Sequence, residues 1–242
     1  MLGLLYKDIV SNKKTMIPMF LIIGALELGM LVVMISVTVF GSEKLKDWEL
    51  GLVYMLCSIN IFFILLFLEP CINQNDEMKK WQAFIASTED GVKKQVGSKY
   101  LMCFFMTTVF YNLLNLIGSV SSAAMELDIT LFQTLGVQLI WLQLLLYAIE
   151  MPFMLAFGVK KGEKIREIIC LLLALAAGIY LCFGDLSIFG DPVKFLFWLR
   201  DFVQDSGNYF LLLTPPVTLI LYYISYCISC RVYLRGGEHY DK

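Results

Sequence analysis

The chain alternates between apolar runs of about twenty residues and short polar intervals, and this alternation restricts its fold more than any other feature. A helix needs roughly 20 apolar residues to cross the ~30 Å hydrocarbon core of a bilayer. Inside lipid each backbone N–H and C=O must also find its partner within the protein, which favours uninterrupted helices. Six runs fit that requirement, at residues 16–40, 51–70, 100–120, 131–157, 168–183 and 209–230, the fifth being short for a bilayer. The expectation is an all-α integral membrane protein with six transmembrane helices, organised as one domain over residues 1–242. Composition agrees: 59% of residues are hydrophobic and 17% charged, against about 25% charged in soluble domains. Nothing is left over for a separate soluble catalytic domain, and a net charge of −2 gives no reason to expect a nucleic-acid partner.

The polar intervals carry the orientation. Cytoplasmic loops hold an excess of lysine and arginine. Residues 1–15, 73–100, 158–167 and 231–242 together contain fifteen of the nineteen, and the three alternate intervals contain the other four. That asymmetry predicts both termini in the cytoplasm, as an even number of spans requires, with no lysine or arginine inside a span. Residues 1–15 set Leu2, Leu4, Leu5, Ile9 and Val10 against Lys7, Asp8, Lys13 and Lys14, an amphipathic pattern suited to the membrane interface. The apolar run after it is too long for the core of a signal peptide and lacks a small-residue cleavage site, so it is expected to remain as the first span. In the external interval 184–208, Asp191 and Pro192 suit an N-cap and a first helical position. Phe195, Leu196, Leu199, Phe202 and Val203 then form an apolar face, predicting a short amphipathic helix.

The longest polar interval is 73–100, NQNDEMKKWQAFIASTEDGVKKQVGSKY. Asn75 can cap a helix whose first turn contains Asp76 and Glu77, where negative charge suits the helix dipole. Met78, Trp81, Phe84 and Ile85 form an apolar stripe, with Lys79, Lys80 and Gln82 facing elsewhere. Periodicity alone leaves two occupants open for that stripe: the lipid surface, or a groove on a cytoplasmic partner.

Three carboxylates fall in or beside spans: Glu27, Glu69 next to Pro70, and Glu150 with Pro152 just after it. Ionisable groups at membrane depth face a cavity or a partner. For Glu27 and Glu150 the readings are a neutral acid bonded to a neighbouring helix, or a translocation-cavity residue meeting a cationic or amphipathic substrate. Glu69 lies near the interface. The seven cysteines form no disulfide framework or zinc pattern and are expected to be free membrane thiols. Catalysis has no candidate residues. His239 is the only histidine, which leaves no paired histidine for an intramembrane metalloprotease. There is no Gly-x-Ser-x-Gly elbow and no G-x-x-x-x-G-K-[ST] phosphate loop. The glycines and lysine of 158–164 have the wrong spacing.

Four segments in order carry a resemblance. DEMKKWQAFIAS followed by VKKQVGSKYL, within 76–101, resembles the signature region of small bacterial type-2 ABC transporter permeases. The nearest likeness is to the group that includes the phenol-soluble modulin exporter permeases. The matching positions are Asp76, Glu77, Lys80, Trp81, Val96, Ser98, Lys99 and Tyr100. LLYKDIVSNKK (4–14) resembles their N-terminal elbow helix, FGVKKGEKIREI (157–168) their second cytoplasmic loop, and SCRVYLRGGE (229–238) the end of their last helix. Where that family commonly has a Leu-Pro turn after the tryptophan helix, this chain has Ser87-Thr88-Glu89-Asp90-Gly91. The resemblance implies a six-span half-transporter of the bacterial cytoplasmic membrane that pairs with a second permease copy or paralogue. Separate ABC ATPase subunits would drive it; ATP and magnesium would be bound there, and no cofactor on this chain. It also implies that the 76–86 helix is the coupling helix, with Asp76, Glu77, Lys80, Trp81 and Phe84 contacting the ATPase, and that the external helix caps the pathway. Expected cargo is amphipathic peptides (antimicrobial ones among them), toxins or lipid-like molecules. Two alternatives stand beside this: a non-transporting immunity or sensor protein that binds a peptide, and a non-ABC channel.

Overall fold

The computed structural model describes residues 2–40, 47–68, 70, 72–73, 90–126, 128–183 and 207–236. These residues form six helices and no strand: α1 (Leu2–Phe40), α2 (Asp47–Leu66), α3 (Gly91–Met125), α4 (Thr130–Phe157), α5 (Val159–Phe183) and α6 (Gly207–Gly236). Central in the bundle is α4, which packs most extensively along α6 and also touches α5, α2 and α3. On the other side α1 lies against α3 and α2, and α3 also reaches α6. Large apolar side chains such as Leu28, Phe63, Leu116 and Leu212 point outward. On a water-soluble protein an apolar exterior this extensive marks an interface; on long apolar helices it is the surface that meets lipid.

Three helical segments are long and apolar enough to cross a membrane, Gly91–Ala123, Thr130–Phe157 and Leu211–Tyr233. In α1 the segments Tyr6–Lys14 and Met16–Met30 together make a fourth, bent by 81°. Pro18 accounts for the bend: it has no N–H to offer the Lys14 carbonyl, and its ring crowds that carbonyl. The apolar part of α2, Leu50–Leu66, reaches only about 25 Å at 1.5 Å per residue. Three to four candidate spans is thus what length and apolarity support among the described residues.

Helix ends depart from the expected span ends. The third helix begins at Gly91, not near residue 100, directly after Asp90 in the left-handed region (φ 55°). It ends at Met125, where Glu126 is also left-handed (φ 56°). The basic stretch 158–167, expected as a loop, is largely the first turns of α5, and Gly158 (φ 89°) alone separates it from α4. Lysine, glutamate and arginine are good helix formers, so their charges mark where a helix leaves the membrane and not where it stops. The lysines of α3 accordingly precede its apolar run, which starts at Tyr100. Lys99, just before that run, is nevertheless buried in the bundle, 1% exposed.

Small residues set the closest helix contacts, as is usual where helices associate without a hydrophobic driving force. Gly118 on α3 and Gly136 on α4 make room for the buried ring of Tyr54 on α2. A Cβ added at Gly136 would lie 2.7 Å from the Tyr54 hydroxyl. That hydroxyl donates to Asn115 Oδ1 at 2.5 Å, joining α2 to α3. Gly51 admits the Phe132 ring, and Gly162 admits Met154.

Candidate translocation and coupling site

Contacts from four helices and from the segment just past α2 gather the basic residues at one end of the bundle. The α1 arm docks through its polar face. Asp8 and Asn12 are each 1% exposed, while Tyr6, Ile9 and Val10 face outward. Ser98 of α3 places its hydroxyl 3.2 Å from Asp8 Oδ2 and 2.8 Å from its own Gln95 carbonyl, and Lys7 pairs with Asp8 at 3.1 Å. Next to Ser98, Lys99 Nζ donates to the Ile72 carbonyl at 3.3 Å, just past α2. The Asn73 amide nitrogen lies 3.6 Å from Met151 Sδ and 3.8 Å from Met154 Sδ on α4. Tyr226 near the end of α6 donates to the Lys93 carbonyl at 3.3 Å. Lys7, Lys13 and Lys14, Lys93 and Lys94, Lys160, Lys161 and Lys164, and Arg231 therefore share this end, and Glu126 and Asp128 close the other.

A hydroxyl relay crosses the bundle one turn deeper, and a proline is its cause. Pro152 inside α4 cannot donate to the Ala148 carbonyl four residues earlier. In lipid that carbonyl needs another donor, and Ser225 of α6 supplies it at 2.5 Å. With its one proton used there, Ser225 Oγ accepts from Tyr100 OH of α3 at 2.6 Å. Tyr100 OH in turn accepts from Ser229 at 2.7 Å. Tyr222 closes the seam by donating to the Tyr100 carbonyl at 2.8 Å. On α2, whose last carbonyls have no intrahelical donor, Leu65 O accepts from Tyr147 OH of α4.

Both candidate cavity acids are buried, in different surroundings. Glu27 is 4% exposed on the inner face of α1, with the Cys57 thiol of α2 within electrostatic reach. Its Oε1 has no hydrogen-bond partner among the described residues. Glu150 is fully buried on α4, flanked by Tyr147, Met151 and Met154, whose partners lie on α2 and in the segment just after it. No described cavity joins the two acids. Of the polar residues along the spans, Asn60 and Asn112 face outward and donate to carbonyls of their own helices, Leu56 O and Thr108 O. Gln143 is buried, and its amide has no hydrogen-bond partner among the described residues. Cys57, Cys103, Cys227 and Cys230 carry free thiols. Among the described residues no group of three His, Cys, Asp or Glu side chains could hold a metal ion.

Asp76, Glu77, Lys80, Trp81 and Phe84 lie outside the described residues, as do Glu69 and the external interval 184–206. Sequence reasoning missed the roles of Asp8, Asn12, Lys99 and the Tyr100–Ser225–Ser229 relay. One signal was present. Ser225 and Ser229 stand one turn apart on α6, and Pro152 four residues after Ala148 leaves a carbonyl that some neighbour must satisfy.

Long apolar helices with a lipid-facing exterior, glycine-mediated contacts and hydroxyl seams define a multi-pass helical membrane protein. The chain matches the family described as ABC-2 family transporter protein over residues 3–234, nearly its whole length, and belongs to it. It is thus the membrane domain, a permease, of an ABC transporter, and membership implies association with an ABC ATPase subunit. Neither a curated protein nor a solved structure matches the chain.

Proposed function

We propose that the chain is the permease subunit of an ATP-driven exporter in the bacterial cytoplasmic membrane, with both termini cytoplasmic. It moves amphipathic peptides, toxins or lipid-like molecules, and it works paired with a second permease copy or paralogue. Six spans follow the six apolar runs, and the charge asymmetry between the two ends of the bundle supports that orientation. The 81° arm of α1 serves as an interfacial elbow, with Asp8 and Asn12 docked on the bundle and Tyr6, Ile9 and Val10 turned to lipid.

The observation that carries the reading is the anchoring on both sides of the central connection, 74–89. Before it, Ile72 and Asn73 are tied to Lys99 of α3 and to Met151 and Met154 of α4. After it, Asp90 leads directly into α3. An ATPase pushing on Asp76, Glu77, Lys80, Trp81 and Phe84 would therefore move α3 and α4 together, and the Ser98–Asp8 contact would carry that motion to the α1 arm. Loose tethers would absorb the push; buried hydrogen bonds transmit it.

The test is Trp81→Ala in the complex purified with its ATPase. Expected is a protein of unchanged abundance and melting temperature whose ATP hydrolysis no longer responds to substrate and whose export is lost. Full export with substrate-stimulated hydrolysis intact would refute the coupling assignment. Purification without any ATPase would favour the immunity, sensor or channel alternatives.

A further inference from the structure

A groove of about 380 Å³ runs between α3 and α6 at the basic end, with Tyr100, Leu101, Leu219, Tyr222, Tyr223 and Tyr226 in its lining beside Gly97. Its floor is aromatic. Tyr100 packs edge-on against Tyr222 (4.9 Å) and Tyr226 (5.7 Å). The floor hydroxyls are already engaged within the fold, Tyr100 with Ser225 and Ser229, and Tyr222 with the Tyr100 carbonyl. The groove therefore presents ring faces, ring edges and aliphatic walls, a surface suited to an alkyl chain.

The mouth is cationic. Lys93 and Lys94 precede Gly97 by four and three residues, so they stand on the face of α3 that forms the wall. Arg231 continues the Tyr223–Cys227 row of α6 at i+4 spacing. All three are exposed, and among the described residues Asp90 pairs with Lys93 at 3.1 Å. Contact between Tyr226 and the Lys93 carbonyl holds the two sides of the mouth together.

We propose that this groove holds one anionic phospholipid, an acyl chain lying on the tyrosines and the phosphate held by Lys93, Lys94 and Arg231. Basic pockets between membrane helices take such headgroups, and tyrosines favour the headgroup level of the bilayer. A second copy of the chain is the poorer occupant, because a two-fold contact sets each patch against itself and would oppose the same three cations. The inference needs only that the chain lies in a membrane; it does not depend on coupling, direction or cargo.

The test is native mass spectrometry of the permease–ATPase complex released from phosphatidylglycerol or phosphatidylcholine nanodiscs. Expected is one retained phosphatidylglycerol per permease chain and no retained phosphatidylcholine. The triple variant Lys93→Gln, Lys94→Gln, Arg231→Gln should weaken retention at least tenfold. Leu101→Trp, an outward-facing position on the groove wall, should fill the groove and displace the lipid with the cations intact. Both variants alter exposed side chains, and unchanged melting temperature and ATPase co-purification verify their folding. Equal retention of the two lipids, or retention unaffected by either variant, would overturn the proposal. So would efficient disulfide crosslinking between Tyr223→Cys copies in the membrane, since it would put a second chain over the groove.

Discussion

Ser225→Ala is the most informative single perturbation of the bundle. It removes the donor that satisfies the Ala148 carbonyl, which Pro152 has deprived of its intrahelical partner. It also removes the acceptor for Tyr100 OH. An interhelical hydrogen bond in a membrane protein is worth about 0.6 kcal/mol on average and at most about 1.7, but stranding a buried carbonyl adds a desolvation cost of roughly 1–3 kcal/mol. The expected loss for Ser225→Ala is thus about 2–4 kcal/mol, combining those two terms. Tyr100→Phe breaks two bonds of the relay but strands no backbone group. Ser229 can turn its hydroxyl to the Ser225 carbonyl one turn back, and the cost should be nearer 1 kcal/mol. The decisive measurement is a double-mutant cycle with Pro152→Ala, which restores an N–H for Ala148 O. Reversible unfolding in mixed micelles should show Ser225→Ala costing at least ~1 kcal/mol less in the Pro152→Ala background, the size of coupling expected for residues that share a partner. If Ser225→Ala costs the same with proline or alanine at position 152, the reasoning fails.

Other outcomes follow from the buried acids and the helix contacts. Glu27→Gln and Glu150→Gln keep side-chain shape without the ionisable group, so protein abundance should hold while export or substrate choice changes in a transport assay. Unchanged transport in both would remove the two acids from the mechanism. Gly136→Ala drives a methyl against the Tyr54 ring and hydroxyl and should lower stability by about 1–3 kcal/mol, the usual cost of overpacking, seen as a lower thermal unfolding temperature. Replacing Gly24 with Ala, where an added Cβ meets nothing within 4 Å, is the control and should leave that temperature unchanged.

The sequence determined the solvent of this protein and with it the class of fold. Apolar runs of membrane length leave only helices, because lipid offers no partner for an unpaired backbone group. It also carried the charge asymmetry and the family likeness, since both are written in residue order. The length of the helices was not legible: Lys93, Lys94 and Lys99, or Lys160 to Lys164, look like loop charges, yet they extend α3 and α5 beyond the apolar segment. Nor was the meaning of Asp8, which reads as the solvated face of an interfacial helix. The tertiary structure buries that face against Ser98 and turns Ile9 and Val10 outward. Tertiary structure alone decided which helix answers the carbonyl freed by Pro152, and that Glu27 and Glu150 occupy different surroundings. Periodicity reports which face of one helix is apolar, but a hydrogen bond across helices depends on how far one helix is rotated and shifted against another, and only packing sets that.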